Sequence, residues 1–473
     1  MANEWATFGA DLHLDLRGAA GLRTGLMDAL REAVRSGRLA PGTRLPSSRQ
    51  LAADLGIARN TVADAYGDLV AEGWLTARQG SGTRVAQRAE PRRGAAAPAG
   101  SGGPRRRPSG GPRHDLKPGT PDVASFPRAE WLKAARRALT AAPHEAFGYG
   151  DPRGRIELRT ALAEYLARAR GVYASPERIV VCSGFVHGLM LMGQVLRARK
   201  VREVAVESYG LDVHWDLLAR TGLRLPALGC DERGTRTEDL AALKGVGAVL
   251  MTPAHQFPLG GALPPDRRAA AVDWARTTGG LVLEDDYDGE FRYDRQQVGA
   301  LQGLDPERVV YLGTASKSLA PGLRLAWMVL PRALADEVAE AKGRIDWQCG
   351  ALDQLTFAEF LASGAYDRHV RAMRLRYRRR RDQLVAALAR RAPDIEVSGI
   401  AAGLHAVLPL PPGTERSVLR AAAWQGLSVL GIDAFRHPST PRTREGLVVG
   451  YGTPTDSAWP GALEALCRVL PGE

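Results

Sequence analysis

Gly313-Thr314-Ala315-Ser316-Lys317-Ser318-Leu319-Ala320-Pro321-Gly322-Leu323-Arg324 is the stretch on which the reading of this chain turns. It follows the apolar run 308–312, so a lysine stands just past the end of a predicted strand, with hydroxyls around it at 314, 316 and 318. A single lysine is ordinarily a solvated surface group. Here the hydroxyls and an arginine seven residues further on supply the donors that a phosphate needs. The chain strongly prefers arginine to lysine, so candidates for a reactive amine are few.

Working outward, short apolar runs recur at 178–182, 203–206, 248–251 and 281–283, with amphipathic stretches such as 161–170 and 266–277 between them. Continuous runs suit strands buried on both faces, and the alternation predicts a mostly parallel α/β sheet after residue 114. Two more polar segments fall at predicted strand ends. Glu284-Asp285-Asp286-Tyr287-Asp288 follows the run 281–283, and Ser183-Gly184 lies between the run 178–182 and a helix that starts near Phe185. An acidic cluster at a strand end is also a metal-ligand pattern. Tyr287 points instead to a heteroaromatic ring, with Asp285 on a protonated ring nitrogen and the phenol on a ring oxygen. A lysine, an anion and a phosphate cradle at a helix start are the three requirements of pyridoxal phosphate. No metal site is expected.

The first eighty residues read differently. A helix is predicted over 22–37 with Leu22, Leu26, Leu30 and Val34 on one stripe, stopped by Gly37. Pro46 and Ser47 open a second helix at 48–55, Gly56 makes a turn, and a third helix at 58–72 turns Val62, Ala65, Tyr66 and Leu69 inward. Residues 74–85, punctuated by glycines, predict a small hairpin. Such a unit is either a packing module or a helix-turn-helix whose later helix enters the major groove. The run Ser36-Gly37-Arg38-Leu39-Ala40-Pro41-Gly42-Thr43-Arg44-Leu45-Pro46-Ser47-Ser48-Arg49, with Leu55-Gly56-Ile57-Ala58-Arg59-Asn60-Thr61-Val62 and Glu72-Gly73-Trp74-Leu75, closely resembles the GntR-type winged helix. That resemblance places Arg49, Arg59, Asn60, Thr61 and Gln79 at double-stranded DNA. Arginine can take guanine bidentately, and Asn60 and Thr61 can reach a base edge or a phosphate.

Charge and composition bound the rest. The chain has 473 residues, 45% hydrophobic and 25% charged, with a formal charge of +12, and its length suggests two or three domains. Residues 1–83 are formally neutral, whereas 84–113 hold eight Arg against Glu90, a net +7. That stretch is rich in Gly, Pro, Ala and Ser and lacks apolar periodicity, so 86–113 is expected to be a flexible linker, with arginines that either aid solubility or touch phosphates. The expected domains are 12–85 and 114–473. No apolar stretch reaches the roughly 18 residues of a membrane span, and no signal segment opens the chain, which favours the cytoplasm. Cys182, Cys230, Cys349 and Cys467 lack the close spacing of zinc or redox motifs and are read as buried thiols.

Taken with Tyr149-Gly150-Asp151-Pro152-Arg153-Gly154, Val206-Glu207-Ser208-Tyr209-Gly210 and Thr252-Pro253-Ala254-His255-Gln256-Phe257-Pro258, the second part resembles a fold-type I aminotransferase domain over most of 114–470. Joined to a GntR-type winged helix, the whole is similar to the MocR family of regulators, an α+β multidomain architecture. The resemblance implies that Lys317 forms the internal aldimine, that Asp285 pairs with the ring nitrogen and that Tyr287 bonds the ring hydroxyl. Ser183, Gly184, Thr314 and Arg324 would hold the phosphate, Tyr209 would stack on the ring, and Tyr149 would reach the phosphate of the partner subunit in a homodimer. Two departures stand out. Phe257-Pro258-Leu259-Gly260 replaces a run in which aminotransferases carry asparagine, and Val448 in Leu447-Val448-Val449-Gly450-Tyr451 stands where an arginine for the substrate α-carboxylate is expected. The expected function is transcription regulation, with pyridoxal phosphate, an amine or an amino acid as effector. The alternative is a working aminotransferase with an accessory DNA-binding domain.

Overall fold

Ser47 shows how local chemistry sets the first elements: its hydroxyl accepts from the Gln50 N–H at 3.2 Å and caps helix α2 (Ser48–Leu55). Gly56, at φ 64°, ends that helix in the left-handed conformation that glycine adopts without strain. The computed structural model describes residues 7–8, 10–11, 21–78, 82–87, 112–293 and 298–471, in two units, Met1–Arg107 and Pro108–Glu473. In the first, α1 (Leu22–Arg35) and α3 (Arg59–Ala71) pack with α2, and β1 (Leu75–Arg78) pairs antiparallel with β2 (Gly82–Val85). Val62, Ala65, Tyr66 and Leu69 are buried as the periodicity requires. The stripe expected on α1 needs correction: Leu26 and Leu30 are buried, but Leu22 is 53% exposed and Val34 only half-buried, with Met27 and Ala33 inside instead. Steps of four residues overshoot a 3.6-residue turn by about 40°, so a stripe held to that step rotates off the core at its ends. Among the described residues the core of this unit draws on side chains from Leu26 to Val85. The expected linker, 86–113, lies almost wholly outside the described residues.

The second unit is organised by a seven-stranded sheet. Its strands are β3 (Ile179–Cys182), β4 (Glu203–Glu207), β5 (Ala227–Leu228), β6 (Val246–Met251), β7 (Leu281–Asp286), β8 (Val309–Thr314) and β9 (Ala326–Val329). They lie in the order β3-β9-β8-β7-β6-β4-β5, and every pairing is parallel except the two made by β9. Side chains alternate between faces. Val180, Met328, Leu312 and Leu283 meet Leu189 and Met192 of helix α4 (Phe185–Ala198) on one face. Val181, Trp327 and Tyr311 meet the helices Ile156–Arg170, Ala351–Ala362 and Ala365–Arg391 on the other. The five apolar runs picked out in the sequence are β3, β4, β6, β7 and β8; β9 escaped notice. A smaller three-stranded antiparallel sheet joins β10 (His405–Pro409), β11 (Leu430–Gly431) and β12 (Gly446–Gly450). Because β3, β4, β6, β7 and β8 run the same way, Ser183, Ser208, Thr252, Tyr287 and Ala315 all fall at one edge, where open α/β sheets place their ligands. Cys182, Cys349 and Cys467 are buried free thiols, while Cys230 is only half-buried, on the short strand Cys230–Asp231 away from the main sheet.

Candidate cofactor cavity and nucleic-acid interface

A cavity of about 330 Å³ opens at that edge, with Gly119, Tyr209, Asp285, Tyr287, Lys317 and Arg324 in its wall. The Lys317 ammonium donates to the Gly119 carbonyl. Burial lowers its pKa, against the opposing pull of Asp285 and Asp288. Burial likewise pushes the Asp285 carboxyl well above its usual range, with the charge of Lys317 acting the other way. One oxygen of Asp285, Oδ1, is buried with no hydrogen-bond partner among the described residues. A buried carboxylate oxygen left in this way is costly, and it marks where a donor from a ligand fits. Its neighbours are satisfied from the other side: Glu284 accepts from the N–H groups of Leu301 and Gln302 at 2.7 and 2.9 Å, and Asp286 holds Arg170 at 2.7 Å and the Tyr311 hydroxyl at 2.8 Å. The two-residue period of β7 thus separates Asp285 from both.

The opposite end of the cavity is built for an anion. Gly184, at φ 90°, precedes α4, and a Cβ there would run into the Arg324 guanidinium. Arg324 itself adopts a left-handed backbone at φ 53°, a costly conformation for a non-glycine residue, and donates to the Ser183 carbonyl at 2.7 Å. The Thr314 hydroxyl donates to Ser316 Oγ at 2.9 Å and accepts from the Ser316 N–H at 3.1 Å. Arginine, paired hydroxyls and a helix start together suit a phosphate. Ser183 contributes less than the sequence suggested, since its N–H goes to His187 Nδ1 at 3.1 Å and its hydroxyl lies 3.2 Å from Cys349 Sγ.

Tyr209 is buried in the cavity wall. Tyr149 is not brought to Lys317 within the chain: it is 84% exposed and packs edge-on against Trp347 at 4.6 Å. Phe257 packs edge-on against Tyr287 at 5.9 Å and Phe435 at 5.2 Å, and offers the ring-oxygen position no donor. Val448 lies on β12 opposite Val407 and Leu430, fully buried in an apolar cluster with Phe257 and Phe435. Sequence reasoning missed Gly119, His255, Asp288 and His405, while the Ser316 hydroxyl was anticipated among the phosphate donors. His255 and Asp288 sat inside quoted segments with no role given to them, and a polar residue between a buried strand and a proline was the available signal for His255. Gly119 and His405 come from distant segments and carry no local signal.

On the first unit, Arg49 at the start of α2 and Arg59 at the start of α3 are exposed and have no acidic partner among the described residues. Asn60 is exposed and Thr61 half-buried, its N–H turned to the Ala58 carbonyl at 3.1 Å. Two arginines of α1 are neutralised, whereas Arg35 at its end stacks over Trp74. Arg23 pairs with Asp68, and Arg31 reaches Glu72 at 2.6 Å and Asp28 at 2.6 Å, tying α1 to the later part of α3. The starts of α2 and α3 thus each present an exposed arginine with no acidic partner among the described residues. Gln79 lies outside the described residues.

Comparison with known proteins agrees with both units. The family of bacterial regulatory proteins, gntR, matches residues 22–85, and aminotransferase class I and II matches residues 115–444. The HTH-type pyridoxine biosynthesis transcriptional regulator PdxR of Corynebacterium glutamicum is 33% identical over 441 residues, covering 91% of this chain and 92% of its own. The probable rhizopine catabolism regulatory protein MocR of Rhizobium meliloti is 31% identical, over 90% of this chain and 89% of its own. An archaeal alanine:glyoxylate aminotransferase superposes with a TM-score of 0.69 at 25% identity, covering 76% of this chain and 90% of that structure. A helix-turn-helix reader joined to an aminotransferase fold defines a class of regulator rather than a plain enzyme. The chain belongs to the MocR-type HTH transcriptional regulators.

Proposed function

We propose that this protein is a cytoplasmic, homodimeric regulator that binds double-stranded DNA through Arg49, Arg59, Asn60, Thr61 and Gln79 and takes up pyridoxal 5'-phosphate beside Lys317, as effector or as the sensor of an amine or amino acid. The observation that carries this reading is Asp285 Oδ1, without a hydrogen-bond partner among the described residues, in the same cavity as the half-buried Lys317. Asp285 would hold the ring nitrogen, Arg324, Thr314 and the backbone at Ser183 and Gly184 the phosphate, and Tyr209 the ring face. When bound, the cofactor supplies an electrophilic carbon at which the lysine amine can be exchanged for that of a ligand. The lowered pKa of Lys317 raises its uncharged fraction, the form able to attack. The relative named for pyridoxine biosynthesis supports vitamin B6 as the signal.

Val448 favours regulation over turnover. An aminotransferase must clamp the substrate α-carboxylate so that one Cα–H bond faces the base, and a misplacement of about 1 Å can cost about a hundredfold in rate. A valine buried among apolar side chains offers no clamp. Two assays on one preparation decide between the readings: operator affinity with and without cofactor, and pyridoxamine phosphate formation over a panel of amino acids. A regulator changes operator affinity and forms the amine product slowly or not at all. Turnover at about 1 per second or faster, with DNA binding indifferent to the cofactor, would make the enzyme reading the better one.

A further inference from the structure

Three polar side chains meet behind the cavity. His255 Nδ1 lies 2.8 Å from Asp288 Oδ2 and 3.0 Å from the Tyr287 hydroxyl oxygen. Two oxygens around one ring nitrogen are best served when that nitrogen is the donor. A proton on Nδ1 would be shared toward both. The site is built tightly around this pair: a Cβ at Gly403 would run into both Asp288 and His255, and the Gly403 carbonyl is held by the hydroxyls of Tyr293 and Tyr451. His405, His255 and Asp288 also offer donor atoms within 4.8 Å of one another, as a metal site would. A separation of 2.8 Å is that of a hydrogen bond, shorter than the roughly 3.3 Å between ligands on tetrahedral zinc, and His405 Nε2 lies 3.1 Å from the Pro258 carbonyl as its donor.

Phe257 removes one donor to a ring oxygen and leaves Tyr287 as the remaining one in the wall. We propose that His255, fixed as the Nδ1–H tautomer by Asp288, is a positioning residue for Tyr287: it donates to the phenol oxygen, so that the phenol's own proton is directed at the ring oxygen of the bound cofactor. This inference rests on the cofactor reading given above. Donation to a phenol oxygen polarises its O–H bond and strengthens it as a donor, which compensates for the apolar side chain at Phe257. Burial, the charges of Asp288 and Asp285 and a hydrogen bond from the phenol to Asp288 push Tyr287 well above the usual phenol value, so the hydroxyl keeps its proton, which turns from Asp288 to the ring oxygen when the cofactor binds. The other titratable groups facing the trio are His405, held down to about 3 by burial and by His255, together with Glu207, Asp285 and Lys317.

The test uses the full-length protein loaded with pyridoxal 5'-phosphate and reads the pH at which its yellow absorbance gives way to the near-ultraviolet band. A donor on the ring oxygen steadies the negative charge there and makes the lysine-linked nitrogen easier to deprotonate, so its loss moves the transition to higher pH. Tyr287→Phe should raise the transition by about one unit. His255→Gln should raise it by less, and His255→Gln combined with Tyr287→Phe should go no further than Tyr287→Phe alone, since His255 acts through the phenol. A histidine with a merely structural role would not produce that non-additivity. An unmoved transition in loaded His255→Gln, or an effect that adds to Tyr287→Phe, overturns the proposal. Should His255→Gln fail to load, His255→Leu, which also lacks the donor, decides in its place. An unsubstituted protein that takes up no borohydride-fixable cofactor is a different result, which removes the cofactor reading and this inference with it.

Discussion

Lys317→Ala separates the chemistry of one amine from the architecture around it. The variant should lose the yellow absorbance and the adduct fixed by borohydride, and keep operator binding. An adduct mapped to any other lysine would displace Asp285 from its role as well. Glu290 makes a second residue-scale case, through pH. Burial and the charge of Asp286 push its carboxyl up to about 7, against the restraint of Arg170, while the hydroxyls of Tyr366 and Tyr165 lie 3.2 and 3.5 Å away. A carboxyl raised in the folded state contributes stability that is fully present below its unfolded value of about 4.3 and lost as pH rises through its folded value. Glu290→Gln still accepts from both tyrosines and cannot ionise. Its denaturant midpoint should match the parent near pH 4 and exceed it at pH 8. Equal midpoints at both values would show that Glu290 carries no such linkage.

At the scale of elements, the start of α3 is the sharpest expectation. Arg59 is exposed and without an acidic partner among the described residues, so Arg59→Ala or Thr61→Ala should cost about 1–3 kcal/mol of specific operator binding and leave the cofactor absorbance unchanged. Unaltered affinity in both, measured by titration at fixed salt, would mean that another element reads the groove. How much of the molecule was legible also differs by element. Strands buried on both faces advertise themselves as apolar runs, and capped helices by Ser47 and Gly56, so β3, β6, β7, β8, α2 and α3 were visible. β9, Ala326–Val329, lies in the apolar run 325–330 and is as long as β3, so it carried the same signal; what the run does not record is its antiparallel return from the Lys317 loop. Of the cavity, the side chains adjacent in sequence to strand ends were visible. Those that long loops deliver, His405 and Gly119, follow from tertiary packing that no local pattern records, and the His255–Asp288 pair needs the fold to bring 255 and 288 together.

For the whole molecule, the exposed Tyr149 bears on assembly. If it serves the phosphate of the other subunit, Tyr149→Ala and Lys317→Ala should each yield protein that holds the cofactor poorly, and co-expressing the two should restore tight binding at one site in each mixed dimer. A mixture no better than its parts would show that the sites are not shared. The winged helix carries a different implication. Among the described residues its interior is filled by side chains from Leu26 to Val85. A stretch that closes its own interior can be inherited as a cassette, and the linker proposed at 86–113 is where a gene would be cut to separate it. Recombination there would hand the aminotransferase-like unit a new address on the chromosome, with no residue around Lys317 having to change.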